Sequence, residues 1–305
     1  VDCSFLARRF RRADYVERQE TLCRLAAHNF PLLGLDHIRV HHADALEYLR
    51  EMEPVDCLFL DPARRDSHGG KTVAITECEP DVCALESLLV EKGRKVMVKL
   101  SPMLDMASAL RDLKYIRELH VIAVNNECKE LTAVLYQMNS VNESSEKEIV
   151  ISCEQAVHNS LSEPFTYTLS EEKNAVCQLA DRVETYLYEP GAALLKAGPY
   201  RLLSQRYGVK KLHPNSHLYT SSVQVDFPGR CFQVTGISGF GKKEVKELLG
   251  GLEKANLTVR NFPASVADLR RKLKLKEGGD VYLFATTLQN GEKVLIKCLK
   301  PALLS

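Results

Sequence analysis

The sequence predicts an α/β fold in which a mostly parallel, doubly wound sheet is followed by smaller α+β domains. Three observations carry that expectation. Short apolar strands alternate with helix-patterned segments through the first 136 or so residues. Three successive strands close on carboxylates, Glu17, Asp44 and Asp61. The last two strands of the series are separated only by Asn125 to Glu130, too short for a crossover helix, so they pair as an antiparallel hairpin.

In chain order, Ser4 to Phe10 and the basic run Arg8, Arg9, Arg11, Arg12 read as the last turns of a helix. A short strand then ends at Tyr15, Val16 and Glu17. Arg18 to Phe30 is helical because Leu22, Leu25, Ala26 and Phe30 recur at three- and four-residue spacing. Ile38 to His42 is a strand that stops at Ala43 and Asp44, and Ala45 to Met52 a helix with Leu46, Leu49 and Met52 in register. Cys57 to Leu60 is a continuous apolar run, the pattern of a strand buried on both faces, and it stops at Asp61-Pro62. A helix around Val82 to Glu91, a strand Lys95 to Leu100, a helix Met106 to Leu113 and the strands His120 to Val124 and Leu131 to Tyr136 complete the series.

Ligands of open α/β sheets bind beyond the carboxyl ends of the strands. The segment after Asp61, Pro62-Ala63-Arg64-Arg65-Asp66-Ser67-His68-Gly69-Gly70, is too polar and glycine-rich for core and reads as an exposed loop. An Asp-Pro pair after a strand is also an ordinary turn initiator. Arg64 and Arg65 fit a phosphate contact or a solvated loop face equally.

At 305 residues and 45% hydrophobic content the chain is long enough for two or three globular domains. No apolar run approaches the roughly 20 residues of a membrane span. The chain opens at Val1 without a methionine and enters a helical pattern at once, so the numbering is expected to begin inside a domain. Ten cysteines are scattered singly with no C-x-x-C, which favours reduced thiols in a cytoplasmic protein over disulfides and gives no metal-ligand spacing. Net charge is +1, but Gly191 to Ser305 hold 19 Lys and Arg against 8 Asp and Glu, a net of +11, while residues 1–190 hold 22 against 32, a net of −10. Such asymmetry points to a half that meets a polyanion, or to two halves that attract each other.

Beyond the hairpin, Asn139 to Lys147 is a polar loop, and Ile149 to Ser152 and Pro164 to Leu169 are strands. In Tyr186 to Gly198, Glu189-Pro190 is expected to start a helix carrying Leu194, Leu195, Leu202 and Leu203. Lys210 to Thr220 gathers two lysines, two histidines and a tyrosine, which suits either a phosphate or base contact or a hydrogen-bonded turn. From Arg230 the order is strand, glycine-rich turn, helix, strand, helix, strand, strand. Gly236, Gly241 and Lys242 fit G-x-x-x-x-G-K, but Lys243 stands where a nucleotide-hydrolysing loop needs Ser or Thr for magnesium. A turn contacting RNA phosphates fits better, with Lys242, Lys243 and Lys246 beside it. Arg270, Arg271, Lys272, Lys274 and Lys276 follow, and Gln289-Asn290-Gly291 joins the last two strands as a hairpin.

Residues 1 to about 140, with Glu17, Asp44 and Asp61-Pro62 at the strand ends and a terminal hairpin, resemble a class I S-adenosylmethionine-dependent methyltransferase with a Rossmann-like sheet whose first strand is missing. The resemblance implies that Asp2 lies near the methionine amino group and that Glu17, with Arg18 beside it, holds the ribose hydroxyls. It further implies that Asp44 with Ala45 meets the adenine, and that Asp61, Pro62 and Arg64 open the catalytic loop, Asp61 also bordering the cofactor. Relatives that methylate bases carry Asp-Pro-Pro or Asp-Pro-x-Tyr there, from which Asp-Pro-Ala-Arg departs.

The order of methyltransferase core, a small part with YLYEPGAALLKAG and KKLHPNSHLYTS, and a basic C-terminal part resembles a family of bacterial methyltransferases with a ferredoxin-like and a THUMP-like domain. The boundaries expected are 1–155 for the methyltransferase, 156–229 for a small α/β ferredoxin-like domain and 230–305 for a THUMP-like RNA-binding domain. The expected function is S-adenosylmethionine-dependent methylation of a base in tRNA or rRNA, with RNA held by the basic half and neither metal nor membrane involved. The alternatives are a non-catalytic RNA-binding protein on the same scaffold, or methylation of a protein or small molecule.

Overall fold

The computed structural model describes residues 1–64, 75–137, 148–157 and 160–301. The expected loops at Arg65 to Gly70 and Asn139 to Lys147 lie outside them. The chain divides into two units, Val1–Arg117 with Ala133–Ser144 and Glu118–Thr132 with Ser145–Ser305.

In the first unit, helix α1 (Asp2–Leu6) leads to strand β1 (Ala13–Glu17), helix α2 (Glu20–Leu32), strand β2 (Ile38–His42), helix α3 (Ala45–Glu51) and strand β3 (Val55–Leu60). Two short strands, β4 (Ala63–Arg64) and β5 (Cys78–Glu79), pair antiparallel. Helix α4 (Val82–Lys92), strand β6 (Gly93–Leu100) and helix α5 (Met106–Asp112) follow. Strands β1 and β2 form one parallel pair and β3 and β6 another, joined through helices, the βα alternation expected from the sequence. Alternate residues Val96, Val98 and Leu100 of β6 are fully or almost fully buried, and Leu89 and Val90 of α4 join them in the core. Beneath β1 and β2, Ala7, Phe30, Leu35 and Ile38 make a smaller cluster.

Strand β7 (Ile116–Val124) turns into strand β8 (Glu127–Leu135) through Asn125 and Asn126, and the second unit holds the part of this hairpin from Glu118 to Thr132. Both have positive φ, 49° and 62°, which asparagine tolerates and a two-residue hairpin turn demands. The hairpin is the expected one, but its strands reach inward over Glu127 to Glu130, which had read as part of the connection. Strand β9 (Val150–Val157) runs parallel to β7, and β10 (Ser160–Leu161) and β11 (Phe165–Thr168) pair antiparallel with β9. Helix α6 (Leu169–Asn174) starts on a full capping box, Thr168 and Glu171 each bonding the other's backbone amide.

A seven-stranded sheet fills the rest. Its members in chain order are β12 (Tyr186–Pro190), β13 (Lys210–Lys211), β14 (Tyr219–Ser221), β15 (Gly229–Ser238), β16 (Asn256–Arg260), β17 (Tyr282–Thr287) and β18 (Lys293–Leu299). They lie in the order β13-β14-β12-β15-β18-β17-β16. Helices α7 (Ala192–Ala197), α8 (Tyr200–Tyr207), α9 (Lys242–Leu249) and α10 (Val266–Leu273) connect them. The strand, turn, helix, strand, helix, strand, strand order from residue 230 is as the sequence reads. One expectation fails. Glu189-Pro190 does not open a helix: both residues close the internal strand β12, Gly191 caps α7, and Gly198 with φ 82° separates α7 from α8. The glutamate is compatible with a buried strand because arginines far along the chain neutralise it.

Candidate functional site

Glu17 pairs in register with His42, so β1 and β2 end together and the residues that follow share one edge of the pair. The Glu17 carboxylate accepts from the Gln19 amide at 2.8 Å, which holds it at the turn into α2. Arg18 follows; its guanidinium donates to Glu79 at 3.3 Å and its carbonyl takes a bond from His42 Nε2 at 3.1 Å. Asp44 is the N-cap of α3: its Oδ1 accepts the amides of Leu46 and Glu47 at 2.8 and 3.2 Å, and Ala45 is the helix's first residue. The pair is braced from behind. His41 Nε2 lies 2.8 Å from Asp14 Oδ1, and Tyr48 of α3 approaches the same ring nitrogen at 3.4 Å. Burial would raise the Asp14 carboxyl, but its bonds from His41 and Arg12 outweigh that and hold it below the usual range.

The second parallel pair brings Asp61 to the same kind of edge. Leu60 of β3 stands in register with Val98 of β6, so the next residues, Asp61 and Lys99, fall side by side. Lys99 Nζ donates to Asp61 Oδ2 at 3.4 Å and to Asp2 Oδ2 at 2.8 Å. One ammonium thus joins two of the carboxylates that the sequence singles out. The hydrogen bond to Asp2, aided by the Asp61 charge and opposed by partial burial, raises the pKa of Lys99 and keeps it protonated. Sequence reasoning missed Lys99. Its signal is a lysine one residue before the end of the apolar strand Val96-Met97-Val98, where a solvated charge has no reason to stand.

Pro62 is half-buried beside Asp61, and Arg64 meets Cys78 through the β4–β5 ladder. Arg65 and the glycine-rich remainder of the expected loop lie outside the described residues. Glu17, Arg18, Asp44 and Ala45 therefore gather at the end of one parallel pair, and Asp2, Asp61 and Lys99 at the end of the other. Among the described residues no group of three or more His, Cys, Asp or Glu side chains has the geometry of a metal site, and no helix is long and apolar enough to cross a membrane.

In the basic half, the turn before α9 is filled from within. A Cβ on Gly239 would stand 2.6 Å from the Glu244 carboxylate, and one on Gly241 3.2 Å from it, so the chain's own acid covers the helix start that the G-x-x-x-x-G-K spacing suggested for phosphate. The Lys210–Thr220 segment is a hydrogen-bonded turn. Lys211 is buried and donates to the Pro214 carbonyl at 2.6 Å, and His213 Nδ1 accepts the Asn215 amide at 3.0 Å.

No curated protein matches the chain. A ferredoxin-like domain family matches residues 186–228, and a THUMP domain-like family matches residues 229–300. Over 99% of its length the chain is similar to the crystal structure of a candidate methyltransferase from Porphyromonas gingivalis W83, at 34% identity and a TM-score of 0.88, spanning 74% of that protein. The expected fold, a Rossmann-like methyltransferase sheet followed by small α+β domains, is thereby borne out. The chain belongs to the family of methyltransferase-like proteins that carry a ferredoxin-like domain and, after it, a THUMP-like domain.

Proposed function

We propose that the protein is a cytoplasmic S-adenosylmethionine-dependent methyltransferase that modifies a base in tRNA or rRNA. Residues 1–155 would form its catalytic domain, 156–229 its ferredoxin-like domain and 230–305 its RNA-binding domain. The observation that carries the reading is the set of acidic groups at the carboxyl ends of two parallel strand pairs, Glu17 and Asp44 at one and Asp2 and Asp61 around Lys99 at the other. That donor set suits the cofactor: carboxylates to accept from ribose hydroxyls, adenine amine and methionine ammonium, and one ammonium to meet the methionine carboxylate.

When bound, S-adenosylmethionine supplies an electrophilic methyl group on a sulfonium. The residues then have separate tasks. Glu17, with Arg18 beside it, holds the ribose; Asp44, oriented by its own cap bonds and followed by Ala45, meets the adenine. Asp2 takes the methionine ammonium, with Lys99 fixing its carboxylate. Asp61 accepts a hydrogen bond from the acceptor amine, and its carbonyl, held against Pro62, accepts a second. Displacement at a methyl group needs the attacking atom in line and relieved of its proton, so positioning does most of the work. Arg64 adds a charge for an RNA phosphate.

Calorimetric titration of S-adenosylmethionine and S-adenosylhomocysteine into the full protein tests the reading. Glu17→Ala and Asp44→Ala should each weaken binding by about tenfold or more, the equivalent of ~1.4 kcal/mol. Absence of binding to the wild type would sink the enzyme reading.

A further inference from the structure

We infer that Arg230 and Arg260, gripped together by the buried carboxylate of Glu189, form the site at which the second unit takes a phosphate group of RNA. The inference rests on the reading that the partner is RNA, and it assigns that partner a place.

Glu189 is 1% exposed and stands in register with Arg230 across the β12–β15 ladder, while Arg260 closes β16 at the far side of the sheet. Glu189 Oε2 accepts from Nε and Nη2 of Arg230, the former at 2.9 Å; Oε1 accepts from Nε and Nη2 of Arg260 at 3.1 and 2.9 Å. All four bonds run from the Nε–Nη2 edges, so Glu189 leaves the Nη1 edge of each guanidinium uncommitted. The side chains of Arg230 and Arg260 are 41% and 36% exposed, so the acid is dry and the two cations reach solvent.

Glu189, Arg230 and Arg260 together carry a formal net charge of +1, where a simple ion pair carries none. One arginine neutralises Glu189; the second leaves an excess positive charge beside a dry carboxylate, which is favourable where an anion completes the set. Two N–H bonds from each guanidinium to a single carboxylate oxygen fix both planar forks in advance, and a fixed planar fork suits phosphate better than a mobile, hydrated ammonium.

A second observation points the same way. Arg260 stands in register with Thr286 of β17, a fully buried residue whose Oγ1 has no partner among the described residues. The half-buried His217 likewise has an unpartnered Nδ1. Burial, and then the nearby charges of Lys211 and Arg260, push His217 down to about 4, so the ring is neutral at neutral pH within a positive field. Buried polar atoms without partners are rare, and two of them in the neighbourhood of Arg260, a hydroxyl and an imidazole, mark that neighbourhood as polar and not as packed apolar core.

The test measures binding of unfractionated bacterial tRNA to the full protein by fluorescence anisotropy over a series of salt concentrations. Arg230→Gln and Arg260→Gln should each weaken binding about five- to tenfold at low salt and flatten the slope of log affinity against log salt by about one phosphate's worth, ~0.7–0.9. A short single-stranded RNA with either a 5′-phosphate or a 5′-hydroxyl separates the two phosphate sources. Equal weakening on both assigns an internal diester, and weakening on the phosphorylated oligomer alone assigns the terminal group. Because either variant can misfold, the wild type is also modified with phenylglyoxal, with and without tRNA; protection of Arg230 and Arg260 is expected. Unchanged affinity and slope in folded variants, or equal modification with and without tRNA, overturns the site while leaving RNA as the partner. A wild type that binds neither tRNA nor the oligomers removes both the site and the RNA reading.

Discussion

The ammonium of Lys99 stands 2.8 Å from the carboxylate of Asp2, a residue 97 positions earlier in the chain, and 3.4 Å from that of Asp61. Each carboxylate faces a charge that the other also uses. Replacing Lys99 by methionine, of similar length and no charge, leaves two like charges at one strand edge with nothing between them. Lys99→Met should weaken S-adenosylhomocysteine binding by about tenfold or more, each factor of ten being ~1.4 kcal/mol. It should leave 5′-methylthioadenosine, which lacks the amino acid end, within about twofold of the wild type. Equal losses for the two ligands in calorimetry would show that Lys99 supports the fold of the site and not the methionine end.

The contrast between Lys99 and Asp44 shows where the sequence is informative. Asp44-Ala45-Leu46-Glu47 carries its own helix start, because the cap bond spans two or three residues. Lys99 becomes meaningful only once β3 and β6 are adjacent with Leu60 against Val98, and parallel adjacency leaves no local mark. Glu189-Pro190 failed for the same reason. A charged residue before proline reads as a helix entrance, and what makes it a strand residue is Arg230 and Arg260, 41 and 71 positions away. The Glu127–Glu130 error was of another kind: polar residues on one edge of a hairpin strand look like loop, whereas positive φ at Asn125 and Asn126 confines the turn to two residues.

The β12–β15 contact fixes the side chain of residue 229. A Cβ built on Gly229 would stand 2.2 Å from the Glu189 carbonyl oxygen and 2.8 Å from the Gly191 nitrogen, both backbone atoms that cannot swing aside. Gly229→Ala must push the strands apart next to Glu189, and overpacking of this kind costs about 1–3 kcal/mol or more. Urea unfolding should show a lowered midpoint. An unfolding free energy within about 0.3 kcal/mol of the wild type would mean that the strands yield there at no cost, contrary to the close packing of protein interiors.

Glu86 of α4, 3% exposed, accepts the backbone amides of Lys114 and Tyr115 at 3.1 and 3.2 Å, one with each oxygen, just before β7. Those amides lie between α5 and β7, outside the backbone bonding of either element, so the glutamate satisfies them in place of a carbonyl. Glu86→Ala leaves both without their acceptor and should destabilise the first unit by about 2–5 kcal/mol, while Glu86→Gln, which keeps one carbonyl oxygen, should lose about half of that. Amide hydrogen exchange reads the effect locally: protection at Lys114 and Tyr115 should fall in Glu86→Ala. Unchanged protection would place the amides' acceptor elsewhere.

His217 makes the stability of the second unit depend on acid. Its ring is stacked on Tyr200 at 3.7 Å and its φ is 53°. Burial first, and the charges of Lys211 and Arg260 after it, lower its pKa from 6.5 to about 4. The unfolded chain therefore binds a proton that the folded chain refuses, so stability is level above the unfolded value and falls as the pH drops from there toward the folded one. A shift of that size corresponds to about 3 kcal/mol at its full extent, and roughly 1 kcal/mol of it is already lost one pH unit below the unfolded pKa. Asparagine accepts the left-handed backbone and does not titrate in this range. His217→Asn should lower stability at neutral pH through loss of the stacked ring, yet fall less steeply between pH 6.5 and pH 4.5 than the wild type. Denaturant midpoints measured across that interval decide it. Parallel acid limbs for the two proteins would mean that the folded state takes up the proton at His217 as readily as the unfolded chain does.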